Sequence, residues 1–411
     1  MSDPTVVLVG TLDTKGDEYD YLRRRLQAAG LRTVVVDVGT LGPPRTAPDV
    51  SREEVAGAAG IDLAALSAAR DRGAAVLAMC QAAPVVVRRL FDEGRCQAVL
   101  AAGGSGNTAI ATAAMRALPL GVPKLMVSTM ASGDTAEYVG VSDVVMMPAV
   151  TDVAGLNSVS ARVLANAAAA VAGMVTAAPV ELHGHRPVVA ATMFGVTTPA
   201  VTAAREELER RGYEVLVFHA TGTGGRAMES LVEAGLVAGV LDLTTTELAD
   251  DLVGGVLSAG PHRLEAAGRA GVPQVVSLGA LDMVNFGARE TVPGRFAGRN
   301  LYVHNPSVTL MRTTPEECAE LGRRVARKLS AATGPVALFV PLRGISAIAG
   351  EGGPFADPEA DAALLTALRA GLADGVEVHE LDLHINDPAF AQAMAARLDG
   401  YLIDSYGGDE R

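Results

Sequence analysis

The stretch VVLVGTLDTKGDEYDYLRRRLQAAGLRTVVVDVG, residues 6–39, governs the reading of this chain. Val6–Val9 and Val34–Asp37 are short β-branched runs, and between them Tyr19, Leu22 and Leu26 recur at helical spacing up to Gly30. Strand, helix and strand in succession make a βαβ unit, which places its two strands parallel in one sheet. The rhythm continues. We expect strands at Val76–Met79, Ala98–Ala101, Lys124–Ser128 and Val144–Met147, then a long alanine-rich helix from Val153 to Thr176. A loop rich in Pro, Gly and His, Ala177–Pro187, interrupts the pattern. After it the same plan restarts as VVAATMFGVTTPAVTAAREELERRGYEVLVFHATG, residues 188–222, and GVPKLMVS at 121–128 is echoed by GVPQVVSL at 271–278. The expected fold is α/β: two Rossmann-like domains with mostly parallel sheets covered by helices, facing across a cleft. An N-terminal nucleotide-binding domain would span residues 1–180 and a second α/β domain residues 187–411.

Composition narrows the function classes. With 411 residues, 49% hydrophobic and 20% charged, the chain can bury full cores. A formal net charge of −13 argues against a nucleic-acid surface, which needs basic patches. Cys80, Cys96 and Cys318 share no short spacing, so neither a disulfide framework nor a zinc site is expected. The start, MSDPTVVLVG, lacks the basic region of a signal peptide, and the apolar run Val163–Val180 contains Asn166 and suits a buried helix better than a membrane span. A cytoplasmic protein without membrane or nucleic-acid partners is the expectation.

Ligands of such folds sit beyond the carboxyl ends of the strands, so the loops there carry the candidates. Residues 98–112, AVLAAGGSGNTAIAT, run from a strand through Gly103, Gly104, Ser105, Gly106 and Asn107 into a helix with no acid in its first turns. Glycines admit a ligand close to the backbone, and a helix start offers free N–H groups to an anion. The earlier loop supplies Thr11, Asp13 and Lys15, a set able to hold phosphate together with Mg²⁺ near Asp13. Lys15 is one of three lysines in the chain, beside Lys124 and Lys328. Asp17 and Glu18 would repel a phosphate at their own helix start, which favours the loop at 103–107. A third loop, with Ser128, Thr129, Ser132, Gly133 and Asp134, offers hydroxyls and an acid for a sugar or a metal-bound water. No GxxxxGK[ST] motif occurs, which disfavours standard P-loop hydrolysis.

In the second half, Gly222-Thr223-Gly224-Gly225-Arg226-Ala227 satisfies G-x-G-x-x-A, and Asp242 follows Gly222 by 20 residues. This dinucleotide pattern belongs on the first strand of its unit, whereas here Val188–Met193 comes first. The preferred reading is a second anion site for a small substrate, with His219, Thr221, Gly222, Gly224, Gly225, Arg226 and Thr244. His304-Asn305-Pro306 and Arg343-Gly344 end further strands and are candidates for the same pocket. His183-x-His185 reads as linker rather than metal site, and Asn386-Asp387-Pro388 reads as a helix cap beside Asp382 and His384. No protein cage for a metal is expected.

Taken together, GTLDTKGDE, AAGGSGNT, STMASGD, HATGTGGRAME, GISAIAGEGGPFADPEAD (344–361) and LDLHINDPAFA (381–391) resemble the Tm-one-like ATP-binding family, over about residues 5–405. The resemblance implies a two-domain α/β fold, binding of ATP with Mg²⁺, and a homodimer. It assigns the nucleotide to Thr11, Asp13, Lys15 and Gly103–Asn107, and less specifically to Ser128, Thr129, Ser132, Gly133 and Asp134. Three functions remain open at this point: an enzyme that activates or phosphorylates a small metabolite, a nucleotide-dependent regulatory or interaction module without catalysis, and a dinucleotide-dependent enzyme using Gly222–Ala227.

Overall fold

Every residue of Thr5–Gly10 (β1) is buried, as a strand covered on both faces of a parallel sheet requires. The structure is a computed structural model that describes residues 3–178 and 186–406, and it divides into two units, Met1–Glu181 and Leu182–Arg411. In the first unit β1 is followed by α1 (Leu12–Ala28), β2 (Arg32–Asp37), α2 (Arg52–Ala58), α3 (Leu63–Ala69), α4 (Arg72–Asp92), β3 (Ala98–Gly103), α5 (Ser105–Arg116), β4 (Lys124–Ser128), α6 (Ala136–Val139), β5 (Val145–Pro148) and α7 (Ser160–Thr176). The strands form one parallel sheet in the order β2-β1-β3-β4-β5.

Two local expectations need correction. Val76–Met79 is part of α4 and not a strand. Ala75, Met79, Ala82, Val86 and Leu90 recur as one buried stripe, and Asp71 caps the helix by accepting from the Ala74 amide, so the 3.6-residue period outweighs the short apolar run. The long helix begins at Ser160 instead of Val153, because the preceding segment is held as a loop in which the Gly155 amide donates to buried Glu18 Oε1 at 2.7 Å. Among the described residues α4 is also the one helix long and apolar enough to cross a membrane by length and composition. Its apolar stripe packs into the core that covers β1 and β3.

The second unit repeats the plan. It runs β6 (Val188–Met193), α8 (Thr198–Arg210), β7 (Glu214–His219), α9 (Thr223–Glu233), β8 (Gly239–Thr244), α10 (Glu247–Val253), α11 (Ala266–Ala270) and β9 (Gln274–Gly279). A three-stranded antiparallel insertion follows, β10 (Met283–Phe286), β11 (Leu301–Asn305) and β12 (Val308–Arg312), in the order β10-β12-β11. The chain then continues through α12 (Pro315–Ser330), β13 (Val336–Pro341), α13 (Pro358–Gly371), β14 (Glu377–Leu381) and α14 (Pro388–Tyr406). The parallel sheet has the order β14-β13-β9-β8-β6-β7, so its first five strands in chain order repeat the arrangement of the first unit. The insertion is a departure from the sequence reading, which anticipated only the mostly parallel sheets.

Beneath the insertion lie two buried acids. Asp250 accepts from the amides of Leu257 and Asn285 and from Asn285 Nδ2 at 2.6 Å, yet burial pushes its carboxyl up from 3.8 to about 7. Asp282 takes one hydrogen bond from Ser346 Oγ at 2.7 Å and is pushed up by burial to about 6, although Arg312 pulls the other way. Both acids hold a proton in the folded state at a pH where the unfolded chain has lost it. Across that window the native state binds more protons, so stability falls as pH rises. Hydrogen exchange of segment 239–312 should therefore show stronger protection at about pH 5 than at about pH 8 after correction for intrinsic rates. Asp250→Asn should shrink that difference, and equal protection at both pH values in the unsubstituted protein would contradict the assignment.

Candidate functional site

In the strand order 2-1-3-4-5 the connections leave β1 and β3 toward opposite sides of the sheet, which opens a crevice beyond their carboxyl ends. The first unit has a cavity of about 420 Å³ there. Of the residues expected from sequence, Thr11, Asp13, Lys15, Gly104, Ser105, Gly106, Asn107 and Thr129 line it. Gly103 and Ser128 end the underlying strands and are buried, and Ser132, Gly133 and Asp134 are not part of the wall. Ser128 Oγ pairs with Thr108 Oγ1 at 2.7 Å and accepts from the Met130 amide, so it shapes the loop. Asp134 accepts from the Ala136 amide on the exposed surface. The structure adds lining residues that the sequence reading did not single out, among them Thr40, Leu41, Arg72, Val76, Ile110 and Asp152.

The start of α5 has no side-chain cap: Gly104 occupies the N-cap position, and no acid stands in the first turn. Thr108 N reaches Gly104 O, whereas the amides of Ser105, Gly106 and Asn107 have no acceptor among the described residues. Three N–H groups at the positive end of a 12-residue helix thus face the cavity, an arrangement suited to an anion. The glycines here differ in what they do. A Cβ on Gly103 would come within 2.8 Å of Asn107 Cβ, so packing requires that glycine. Cβ atoms on Gly104 and Gly106 would meet neighbours only at 3.8 and 3.4 Å, and neither residue has a positive φ. The fold itself does not demand glycine at 104 and 106. What their missing side chains provide is open space beside the free amides.

Tyr19 positions this turn against the first loop. Its ring lies over Gly10, where a Cβ would approach the ring to 2.1 Å. Its hydroxyl accepts from the Ala102 amide at 2.9 Å and from Asn107 Nδ2 at 3.0 Å, and it donates toward the carbonyls of Val9 and Ala102. Burial holds this hydroxyl well above its ordinary pKa.

Charges on the wall are few. Asp13 is 8% exposed; Oδ2 accepts from the amides of Leu41 and Gly42 at 2.8 and 3.2 Å, while Oδ1 has no partner. Behind it, fully buried Asp37 accepts from Leu12 N and Gly39 N, and burial raises its pKa, with the charge of Asp13 adding to the effect. Lys15 sits at a break in α1, with φ −126° and ψ 23°, so the regular helix begins after it. Lys124 is bound to Asp143 and Lys328 to Glu265, but Lys15 has no hydrogen-bond or ion-pair partner among the described residues. Arg72 is likewise unpaired. Two cations and two carboxylates, the half-satisfied Asp13 and Asp152, therefore share the cavity with an apolar side formed by Val38, Leu41, Val76 and Ile110.

The counterpart in the second unit is filled by its own side chains. Gly222 N and Gly225 N both donate to Glu247 Oε1, at 2.7 and 3.0 Å, and Glu247 is bound to Arg263, whose side chain is fully buried. Arg263 also grips Asp242 with two nitrogens, at 2.5 and 2.6 Å. The anion expected at the second glycine loop is thus an internal carboxylate. A Cβ on Gly224 would lie 1.9 Å from the His219 carbonyl, and one on Gly225 would lie 2.1 Å from Glu247, so these glycines serve packing. Thr244 is wholly buried, with Oγ1 2.7 Å from Thr197 Oγ1. Thr221 Oγ1 bonds the His219 carbonyl and Arg226 Nε bonds Gly222 O. Asp242, which completes the dinucleotide pattern in sequence, is 1% exposed and committed to Arg263. Arg343 pairs with Asp382, and Asp387 accepts from the Ala389 amide at the start of α14. His183 and His185 lie outside the described residues.

Comparison with known proteins bears out the family resemblance. Residues 4–179 match the family described as "Uncharacterised protein family (UPF0261) N-terminal domain", and residues 186–402 match the C-terminal domain of the same family. A UPF0261 protein of Clostridium tetani is 50% identical over 96% of this chain and 98% of its own length, and one of Rhizobium meliloti is 52% identical over 95% and 97%. The tomato (Solanum lycopersicum) ToMV resistance protein Tm-1 is 40% identical over 96% of this chain, which spans 55% of that longer protein. Among solved structures, a UDP-N-acetylglucosamine 2-epimerase from Rickettsia bellii aligns over 100% of both chains at 11% identity, with a TM-score of only 0.24.

The Tyr19 arrangement yields a direct test. Tyr19→Phe keeps the ring over Gly10 but removes the acceptor for the Ala102 amide, which should cost about 1–3 kcal/mol. Urea unfolding followed by hydrogen exchange in β1, β3 and α5 should report that loss; unchanged protection in Tyr19→Phe would contradict the role of the hydroxyl.

Proposed function

We propose, for a chain that belongs to the UPF0261 family, that the first unit binds ATP together with Mg²⁺ in the crevice between the loops at 11–15 and 103–107. The observation that carries this reading is the uncapped start of α5, whose three free amides share one cavity with the unpaired ammonium of Lys15. Amides at a helix start and a lysine are a recurrent means of holding phosphates outside Walker loops. A cavity of about 420 Å³ lies within the size range of small-ligand sites. Val38, Leu41, Val76 and Ile110 offer a flat base an apolar surface.

The residues present also suit a cation that arrives with the nucleotide. Mg²⁺ commonly keeps several waters and takes one or two carboxylates along with the phosphates. Asp13 supplies one carboxylate with an unpartnered, buried oxygen, and no group of three or more acidic, histidine or cysteine ligands exists among the described residues. Asp13 would hold the ion, and the ion would neutralise phosphate charge. The choice of ATP among nucleotides rests on the family resemblance.

The site is proposed first as a binding site. Its titratable lining groups are Asp13, Lys15, Arg72 and Asp152, with no histidine or cysteine among them. ATP turnover with a metabolite pool is the measurement that separates an enzyme from a module that responds to nucleotide without chemistry.

The glycine contrast supplies the binding test. By calorimetry with ATP and Mg²⁺, Gly106→Ala should weaken binding by about tenfold or more, while the free protein is as stable as before or up to about 1 kcal/mol more stable. Lys15→Met should lose about ten- to hundredfold in affinity, the scale of one charge-assisted contact. Gly224→Ala, by contrast, should destabilise the second unit, since its new Cβ meets a carbonyl oxygen. Unchanged ATP affinity in both Gly106→Ala and Lys15→Met would overturn the proposal.

A further inference from the structure

The repeated strand order raises a question about the second unit: its crevice between β6 and β8 is closed, yet the fold still exposes strand ends next to it. Thr197 and Thr244, both fully buried, join their hydroxyls across the β6/β8 crevice, and Phe194 N donates to Thr197 Oγ1. One strand further along, a cavity of about 180 Å³ opens beyond the ends of β6 and β7, walled on its other side by β11 and β12 of the antiparallel insertion. Its floor is apolar, with Phe194, Val196 and Leu310 all buried. Its polar members are His219, His304 and Asn305.

These polar members carry no internal duties that would use up their donors. Neither imidazole takes part in a side-chain hydrogen bond or ion pair among the described residues; the His219 ring lies beside the Phe194 ring, with centroids 5.5 Å apart and planes tilted by 47°. Asn305 Oδ1 accepts from Ser307 N and Ser307 Oγ, both at 2.9 Å, which fixes the orientation of the amide and leaves its NH₂ group without a partner. An imidazole offers at least one N–H in either protonation state. The cavity therefore presents three donors over an apolar floor, and no carboxylate lines it to attract an amine.

We infer that the second unit binds a small monocarboxylic acid in this cavity, its carboxylate taken by His219, His304 and Asn305 and its apolar body lying on Phe194, Val196 and Leu310. A carboxylate has two oxygens and enough lone pairs for all three donors. A phosphate dianion calls for fixed cations, and neither lysine nor arginine lines this wall. The volume corresponds to that of about six waters, which limits the guest to a short branched or single-ring acid. The antiparallel insertion thereby acquires a purpose: it supplies His304 and Asn305, which the parallel sheet alone does not bring to this edge.

The site lies wholly in the second unit, so its test is independent of the nucleotide. Imidazole signals of the full chain, assigned by their loss in His219→Gln and His304→Gln, should be followed by NMR during titration with isovalerate and with benzoate, in the absence of ATP. At least one acid should move both signals saturably at millimolar concentrations, with inorganic phosphate and isobutylamine leaving them in place. Gly195→Leu should abolish the response; a Cβ there meets nothing within 4 Å, so the variant is expected to fold, as unchanged circular dichroism would verify. The inference is overturned if neither acid moves the signals, if phosphate or the amine moves them equally, or if folded Gly195→Leu responds as the unsubstituted protein does.

Discussion

The first unit depends on one buried hydroxyl. Tyr19 reaches back from α1 over Gly10 and ties the end of β1, the end of β3 and the side chain of Asn107 into a single network. No other residue type does both jobs, because the ring needs a glycine beneath it and the oxygen must accept two hydrogen bonds while donating one. Since the network lies underneath the loops at 11–15 and 103–107, it sets the spacing of the two sides of the cavity. Asp37 does comparable work one strand away, where its buried oxygen holds Leu12 N and Gly39 N together and so fixes the start of α1 against the loop that carries Thr40 and Leu41.

Two copies of one strand order use their strand ends in opposite ways. In the first unit the helix after β3 begins with free amides and small residues, and the nearby cations have no internal partners. In the second, the corresponding region is built around Arg263 and the carboxylates of Asp242 and Glu247, with threonine hydroxyls sealing the rest. A buried cation surrounded by acids is strongly destabilised by loss of one partner, so this centre tolerates little exchange with an outside ligand. The glycine-rich turn at 222–225 serves as a receptor for the protein's own Glu247, and the open room in this unit is displaced to the next strand pair and the antiparallel insertion.

Much of this was legible in the sequence where burial leaves a plain signature. β1, β3 and β4 are buried throughout and mostly apolar because both faces are covered, and the repeat of residues 6–39 at 188–222 anticipated the shared strand order. Val76–Met79 misled because four apolar residues look alike in a strand and in a buried helix; only the longer period, through Leu90, separates them. The loop at 103–107 was recognisable from its small residues before a helix without acids. The turn at 222–225 carries the same signal, and its opposite use depends on Glu247, a partner over twenty residues away whose burial no local pattern announces. Arg72, Asp152 and Leu41 also escaped notice, since they reach the cavity through tertiary packing and belong to no motif.

Whether the proposed phosphate site lies at the free amides of α5 is decided by a crystal structure of the protein with ATP and Mg²⁺. Phosphate oxygens should then lie within about 3 Å of the amides of Ser105, Gly106 and Asn107, with Lys15 Nζ on the same chain of phosphates and the cation beside Asp13. A phosphate chain seated elsewhere, above all on the turn at 222–226, would contradict it.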